Sequence, residues 1–332
     1  MTPPGQNVSQ AVLSHSCTRN QSVESIEGFS SLPDRLKDFL YTQHCRHFPM
    51  LLDLPDKCGG SDRSSDVFLL LVIKTPPNNY ERREMLRKTW ALERKQNGVQ
   101  IKRVFITGTR GSGFERERLN KVLDVEQSQY KDILQWDFAD AFLNLTLKQV
   151  LFLEWMERHC SKVHFLFNGD DDIFVNTHNV VKFLQNLKNN DGSKHLFTGY
   201  VIHQPPIRDP WSKYCVPAQV YRENMYPPYC SGAGFLLTGH TASVIYNMSQ
   251  SISLIPVDDV YMGMCLAKAG LSASSHAGVR VANVHFDSKR VNDYDPCFYK
   301  ELLLVHGFFS EKMYYMWHLV NDPNLKCFGN DK

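Results

Sequence analysis

Three consecutive carboxylates, Asp170, Asp171 and Asp172, follow the apolar run Val163 to Asn168 and precede Ile173-Phe174-Val175-Asn176. Adjacent carboxylates repel one another unless a cation or solvent relieves them, so the run is a candidate divalent-ion site. The alternative is an acidic surface turn, because polar loops commonly follow strands. An EF-hand loop does not fit: counting from Asp170, position 6 is Val175 rather than glycine and position 12 is Val181 rather than glutamate.

A bound Mg²⁺ or Mn²⁺ takes one or two protein carboxylates and fills its shell with phosphate oxygens and water, which points to a nucleotide diphosphate. Gly108 to Gly113 reads GTRGSG, which is neither a P-loop nor a GxGxxG fingerprint. Phosphate must then be met by the ion and by basic side chains. Arg82, Arg83, Arg87 and Lys88 lie early in a predicted helix, with Arg83 and Arg87 four apart on one face. They either steady a diphosphate or form a solvated basic face. A second acidic pair, Asp258-Asp259, opens another predicted helix, where capping by Asp258 is the local reading. His306 sits between Leu302-Leu303-Leu304-Val305 and Gly307, and on its own reads as a hydrogen-bonded core histidine. HExxH and GxSxG are both absent, which removes zinc proteases and nucleophile-elbow hydrolases.

The elements that must carry these groups alternate. VFLLLVIK (67–74) reads as a buried strand, Tyr80 to Leu92 as a helix, and KRVFIT (102–107) as a second strand. Further strands are expected at Asp132 to Phe138, Val163 to Asn168, 195–200, 231–239 and Val279 to Val284. Helices are expected at Thr146 to His159, Asn179 to Leu187 and Asp258 to Lys268. The Pro- and aromatic-rich segment from Gln204 to Pro228 is a candidate substrate loop. In an open α/β sheet ligands bind beyond the carboxyl ends of strands, where the acidic run falls. Residues 1–60, rich in Ser, Gln, Pro and Asn, are expected to form a largely irregular stem, and 61–330 a single catalytic domain.

With 332 residues and 42% hydrophobic residues the chain can bury a substantial core. Its 37 basic and 35 acidic side chains leave a formal charge of +2, so no global field draws it to nucleic acid or an anionic membrane. The longest clean apolar run, Val67 to Ile73, is far short of the roughly 20 residues of a membrane span, and Met1 to Glu27 has no signal-peptide h-region. Four Asn-x-Ser/Thr acceptors (Asn7, Asn20, Asn144, Asn247) and nine dispersed cysteines without a CxxC suggest an oxidising, lumenal compartment, structural disulfides, and one thiol left by parity.

Five segments together resemble the β-1,3-glycosyltransferase family: VIKTPPNNYERREMLRKTW (72–90), DFADAFLNLTLKQ (137–149), FNGDDDIFVN (167–176), YPPYCSGAGFLLTG (226–239) and PVDDVYMGMCL (256–266). HCRHFPMLLDLPDKC (44–58) and DPCFYKELLLVH (295–306) are most similar to its core 1-extending and N-acetyllactosaminide β-1,3-N-acetylglucosaminyltransferases. The resemblance implies a GT-A fold with a Rossmann-like mixed sheet, UDP-N-acetylglucosamine as donor, and Mn²⁺ with Mg²⁺ as a substitute. The acceptor it implies is a galactose-terminated glycan on glycoproteins or glycolipids. It implies a Golgi type II membrane protein whose anchor precedes residue 1 or is absent.

By matching motifs, Asp170 and Asp172 belong to the DxD element, Asp172 as direct metal ligand and Asp170 as ligand or facing the nucleotide sugar. Asp171, Arg83 and Arg87 would help hold the donor. His306 matches the histidine ligand, reversing its local reading, and Asp259 matches the general base that takes the proton from a galactose 3-hydroxyl during inverting displacement. The chain departs from many relatives at Asn168, where they carry Lys, and at Cys230-Ser231-Gly232-Ala233-Gly234, where they carry a glycine run. The second departure would reshape the acceptor wall or pair Cys230 with Cys215. A β-1,3-galactosyltransferase of the same family, or a secreted glycan-binding pseudoenzyme, would share these motifs.

Overall fold

The computed structural model describes residues 17–281, 295–307 and 310–327. Along the chain the strands are β1 (Met50–Leu52), β2 (Val67–Lys74), β3 (Arg94–Gln96), β4 (Val99–Thr109), β5 (Ile133–Ala139), β6 (Phe165–Asp170), β7 (Ile173–Val175), β8 (Phe197–Gly199), β9 (Val201–Ile202), β10 (Tyr229–Cys230), β11 (Gly234–Thr238), β12 (Ser274–Ser275), β13 (Val279–Arg280) and β14 (Leu304–His306). The helices are α1 (Asp34–Thr42), α2 (Gly60–Arg63), α3 (Tyr80–Lys88), α4 (Gly113–Tyr130), α5 (Leu145–His159), α6 (Thr177–Gln185), α7 (Gly239–Ser249), α8 (Asp258–Lys268), α9 (Pro296–Glu301) and α10 (Ser310–Val320).

The main sheet runs β1-β5-β4-β2-β6-β11-β8-β12, with β3 turned back on β4. Strands β5, β4, β2 and β6 are parallel, whereas β1 and β11 add antiparallel partners, giving the mixed α/β sheet expected from the alternating pattern. β2 is a continuous apolar run because both of its faces are covered. Its alternate residues divide between two cores. Val67, Leu70 and Val72 pack with side chains of α5, α7 and α8, and Leu69, Leu71 and Ile73 pack with those of α3, α6 and α10. A separate small sheet, β13-β14-β7, lies just beyond the end of β6.

Of the segment to residue 60 expected to be a largely irregular stem, residues 1–16 lie outside the described residues and residues 17–60 contain regular elements. α1 buries Leu36, Phe39 and Leu40, and β1 extends the main sheet by pairing with β5. Cys58 is bonded to Cys160 just after α5, and Cys17 to Cys45. A third disulfide joins Cys297 to Cys327, and Cys215, Cys230 and Cys265 are buried thiols, so three are free where parity suggested one. The strand expected at 195–200 is split into β8 and β9 around Tyr200. That expected at Val279 to Val284 is present as β13, and residues 282–284 lie outside the described residues. Helices α1, α2, α4, α7, α9 and α10 had no counterpart in the sequence reading. Among the described residues no helix is long and apolar enough to cross a membrane.

Candidate active site

The site is assembled at the carboxyl ends of β2 and β6. Asp170 is the last residue of β6, and in the parallel β2–β6 ladder it stands in register with Lys74, the last of β2. The chain turns through Asp171 and Asp172 into β7, which pairs antiparallel with β14 so that His306 lies opposite Ile173. That register carries a histidine from the C-terminal part of the chain to the acidic turn, and Gly307 N–H then donates to Asp172 O at 3.1 Å. Ligand atoms of Asp170, Asp172 and His306 lie within 4.8 Å of one another.

These two oxygen donors and one nitrogen donor suit a divalent cation such as Mn²⁺. One further observation supports the fit. Asp172 Oδ1 is buried without a hydrogen-bond partner, its nearest charged neighbour being His306 Nε2 at 3.4 Å. A buried, unsatisfied carboxylate oxygen is costly unless something positive meets it. Burial pushes the Asp170 carboxyl up to about 6 against the pull of Lys74. Burial acts on Asp172 too, but the His306 contact and the Arg82 charge outweigh it and hold that carboxyl below its ordinary value. Contact with the Asp172 carboxylate in turn holds the His306 imidazole above its own.

Asp259 approaches from the other side. Strand β11 pairs with β6 at Gly234 and Gly169, Asp170 N–H donates to Ala233 O at 3.2 Å, and the preceding Gly232 N–H donates to Asp259 Oδ2 at 2.9 Å. The carboxylate is accordingly held by backbone at the start of α8, with Val260 N–H donating to its other oxygen at 2.8 Å. Burial and the adjacent Asp258 charge raise its pKa to about 7. Asp258 does not cap the helix. The N-cap is Val257, and Asp258 Oδ2 accepts from Lys74 Nζ at 2.7 Å.

Asp171, Arg83 and Arg87 are not brought to this cluster, which corrects their assignment to donor binding. Asp171 is buried and accepts from Thr75 Oγ1 at 2.8 Å, Asn79 Nδ2 at 2.8 Å and Arg82 Nη1 at 2.9 Å, so it staples the turn to the start of α3. Arg83 is fully buried, with Nε and Nη2 bonded to Glu126 of α4. Arg87 is bonded twice to Asp132 at 2.9 Å and contacts Glu126 at 2.9 Å. Both guanidiniums are spent on docking α3 against α4 and the start of β5. Arg82, unlike Arg83 and Arg87, keeps about a third of its side chain exposed beside the acidic turn. The sequence reading also missed Lys74, although a lysine ending a continuous buried strand was a visible signal. Cys230 and Cys215 are both thiols, so no disulfide joins them.

An α/β sheet with oxygen and nitrogen donors able to hold a cation at the carboxyl ends of its strands places a candidate ligand site where open α/β sheets bind their ligands. Residues 81–277 match the profile of the family described as Galactosyltransferase, and the chain belongs to that family and is a glycosyltransferase. It is 47% identical over 316 residues to the human protein named N-acetyllactosaminide beta-1,3-N-acetylglucosaminyltransferase 3, covering 95% of this chain and 82% of that one. To the human acetylgalactosaminyl-O-glycosyl-glycoprotein beta-1,3-N-acetylglucosaminyltransferase it is 46% identical, over 96% of this chain and 82% of that one. To human N-acetyllactosaminide beta-1,3-N-acetylglucosaminyltransferase 2 it is 40% identical, over 91% of this chain and 74% of that one.

Proposed function

We propose that the chain transfers N-acetylglucosamine from UDP-N-acetylglucosamine, in β-1,3 linkage and with inversion, to a terminal galactose of core 1 O-glycans or N-acetyllactosamine chains. The observation that carries the reading is the carboxylate of Asp259, held by backbone N–H groups with its pKa near neutrality and joined through Gly232 and Ala233, just before β11, to Asp170 of the Asp170–Asp172–His306 cluster. A base that must work near pH 7 needs a pKa in that range. The names of the relatives support the donor and linkage.

Asp170, Asp172 and His306 would hold Mn²⁺, with Mg²⁺ as a substitute. When bound, the ion supplies charge stabilisation to the departing diphosphate. Arg82, about one-third exposed beside Asp171, is the basic side chain best placed to add to it. Asp259 accepts the proton from the galactose 3-hydroxyl as that oxygen attacks the anomeric carbon from the face opposite the leaving group. Gly232 N–H fixes the direction in which the carboxylate offers its free lone pairs. The disulfides and the Asn-x-Ser/Thr acceptors support work in the lumen of the secretory pathway, and the reading extends to a Golgi enzyme.

The test is transfer by purified protein from UDP-N-acetylglucosamine and from UDP-galactose to a core 1 disaccharide and to N-acetyllactosamine, with Mn²⁺ or chelator, run beside Asp259→Asn. We expect Mn²⁺-dependent N-acetylglucosamine transfer, reduced about 10²- to 10⁴-fold in the variant. Preference for UDP-galactose would instead favour the galactosyltransferase alternative, which the description of the matched family keeps in view. Donor binding without transfer to any acceptor would leave a glycan-binding pseudoenzyme.

A further inference from the structure

The cation cluster and Asp259 arrive on different elements, and one buried side chain touches both halves. We propose that Lys74 is a positioning residue that ties the metal-binding half of the site to the half that carries the base. The inference rests on the transferase reading above.

Lys74 ends β2 and is 4% exposed. An ammonium has three N–H donors. Here the three neighbours are Asp170 Oδ1 at 3.1 Å, Asp258 Oδ2 at 2.7 Å and Gly232 O at 3.2 Å. They come from the end of β6, the first turn of α8 and the segment before β11. No donor is left for a substrate, so Lys74 acts through the groups it holds. It meets Asp170 at Oδ1. Its bond to Asp258 fixes the first residue of α8, and Asp259 is the next.

Gly232 closes the loop. Its carbonyl is held by Lys74 while its N–H holds Asp259 Oδ2 at 2.9 Å, and a side chain there would press on Asp259 Cβ and Oδ2, each 3.3 Å from the added carbon. Ala233 next to it accepts from Asp170 N–H. The base and the first acidic residue of the cluster are therefore joined through the Lys74 ammonium by two short paths, one by way of Asp258 and one by way of the Gly232 carbonyl, beside a backbone path through Ala233 that does not use it. Without that charge the largely buried Asp258 is left beside the partly exposed Asp170 with no ammonium between them, and removal of one partner from a buried ion pair is destabilising to the local arrangement.

The experiment uses the whole protein as wild type, Lys74→Met, Lys74→Arg, Asp258→Asn and the Lys74→Met/Asp258→Asn double variant. Thermal unfolding checks folding, calorimetry reads binding of Mn²⁺ with UDP, and steady-state transfer reads kcat at saturating Mn²⁺ and donor together with acceptor KM. For Lys74→Met we expect weaker Mn²⁺–UDP binding together with a kcat about 10²-fold lower, the scale on which misplacing a reacting group costs rate. Lys74→Arg should recover about tenfold of that loss because the charge is kept. The double variant should lose less than the product of the two single losses, as residues in one network are not additive.

A Lys74→Met protein with wild-type kcat overturns the proposal. So does one that loses only Mn²⁺–UDP affinity and recovers full kcat at saturation, because Lys74 would then serve the cation alone. Should Lys74→Met fail to fold, Asp258→Asn decides: lowered kcat with Mn²⁺–UDP binding retained supports the tie, and unchanged kcat removes it. Wild-type protein that binds Mn²⁺–UDP but transfers to no galactoside would sink the functional reading itself, a result separate from any of these.

Discussion

Neighbouring carboxylates Asp258 and Asp259 acquire different duties from what meets them. Asp258 finds the Lys74 ammonium, whereas Asp259 is met by two backbone N–H groups, and burial beside a second acid raises its pKa to about 7. A general base must be ionised to act. We expect kcat/KM at fixed saturating Mn²⁺ to rise about tenfold per pH unit on the acid side of neutrality and level off above about pH 7. A profile flat across that range would exclude Asp259 as the titrating base. The arginines give a second prediction. Arg87→Gln removes one of the two guanidiniums that meet each of the buried acids, leaving Arg83 on Glu126 and Arg103 on Asp132, so stability should fall by less than the roughly 3–5 kcal/mol of a wholly unpaired buried charge in a denaturant titration, with donor KM of the folded protein unchanged. A raised donor KM at near wild-type stability would restore the diphosphate role expected from sequence. Spacing told which helix face Arg83 and Arg87 share. It could not tell that Glu126, distant in sequence, covers that face.

At the scale of elements, the site depends on how closely β6 and β11 approach. Gly169 has no room for a side chain: an added carbon would lie 2.7 Å from Ala233 O, 2.7 Å from Phe167 Cζ and 2.8 Å from Ile173 Cδ1. Gly169→Ala must push β11 away, and with it the Ala233 carbonyl that holds Asp170 N–H. Overpacking of this kind costs about 1–3 kcal/mol, and transfer activity should fall further than stability does. Paired thermal and activity measurements would show it; full activity at wild-type stability would mean the strands yield freely. Period and burial made β2, β6, α5 and α8 legible, because each carries a run or face of apolar residues. α4 was not legible for a physical reason: its 18 residues bury only Leu123 and Glu126, so it has no apolar stripe to read. Polar contacts anchor it instead, among them the buried ion pairs of Glu126 with Arg83 and Arg87 and the bonds of Asn120 and Gln127 to Gln135 and Ile133. His306 became readable only through the family motif, since the β7–β14 register that brings it to Asp172 leaves no mark on local sequence.

For the whole molecule, composition hid the order within residues 17–60, where the apolar face of the short helix α1 (Leu36, Phe39, Leu40), the pairing of β1 with β5 and two disulfides fix an otherwise polar segment. The Cys58–Cys160 bond spans 102 residues, and restricting so long a loop in the unfolded chain is worth about 2–4 kcal/mol. Replacing both cysteines by serine should lower the denaturation free energy by that amount, whereas no change would mean the packing of α1 and β1 suffices. The balance of the entire fold should also depend on pH and cation together. Asp170 at about 6 and Asp259 at about 7 keep protons in the folded, cation-free protein that the unfolded chain releases at lower pH. Between about pH 4 and 7 the native state thus binds more protons, and stability falls as pH rises. His306, raised by Asp172, acts in the same direction: its contribution is present below about pH 6.5 and is lost as pH passes its folded pKa. Asp132 and Asp172 are depressed, so their contribution is lost only in more acidic solution, below this window. A cation takes deprotonated carboxylate and neutral imidazole, so its stabilisation grows over the same interval. Melting temperature should therefore decline with pH in chelator and decline less, or rise, with Mn²⁺ and UDP. Parallel curves in the two conditions would mean that Asp170, Asp172 and His306 do not hold the ion.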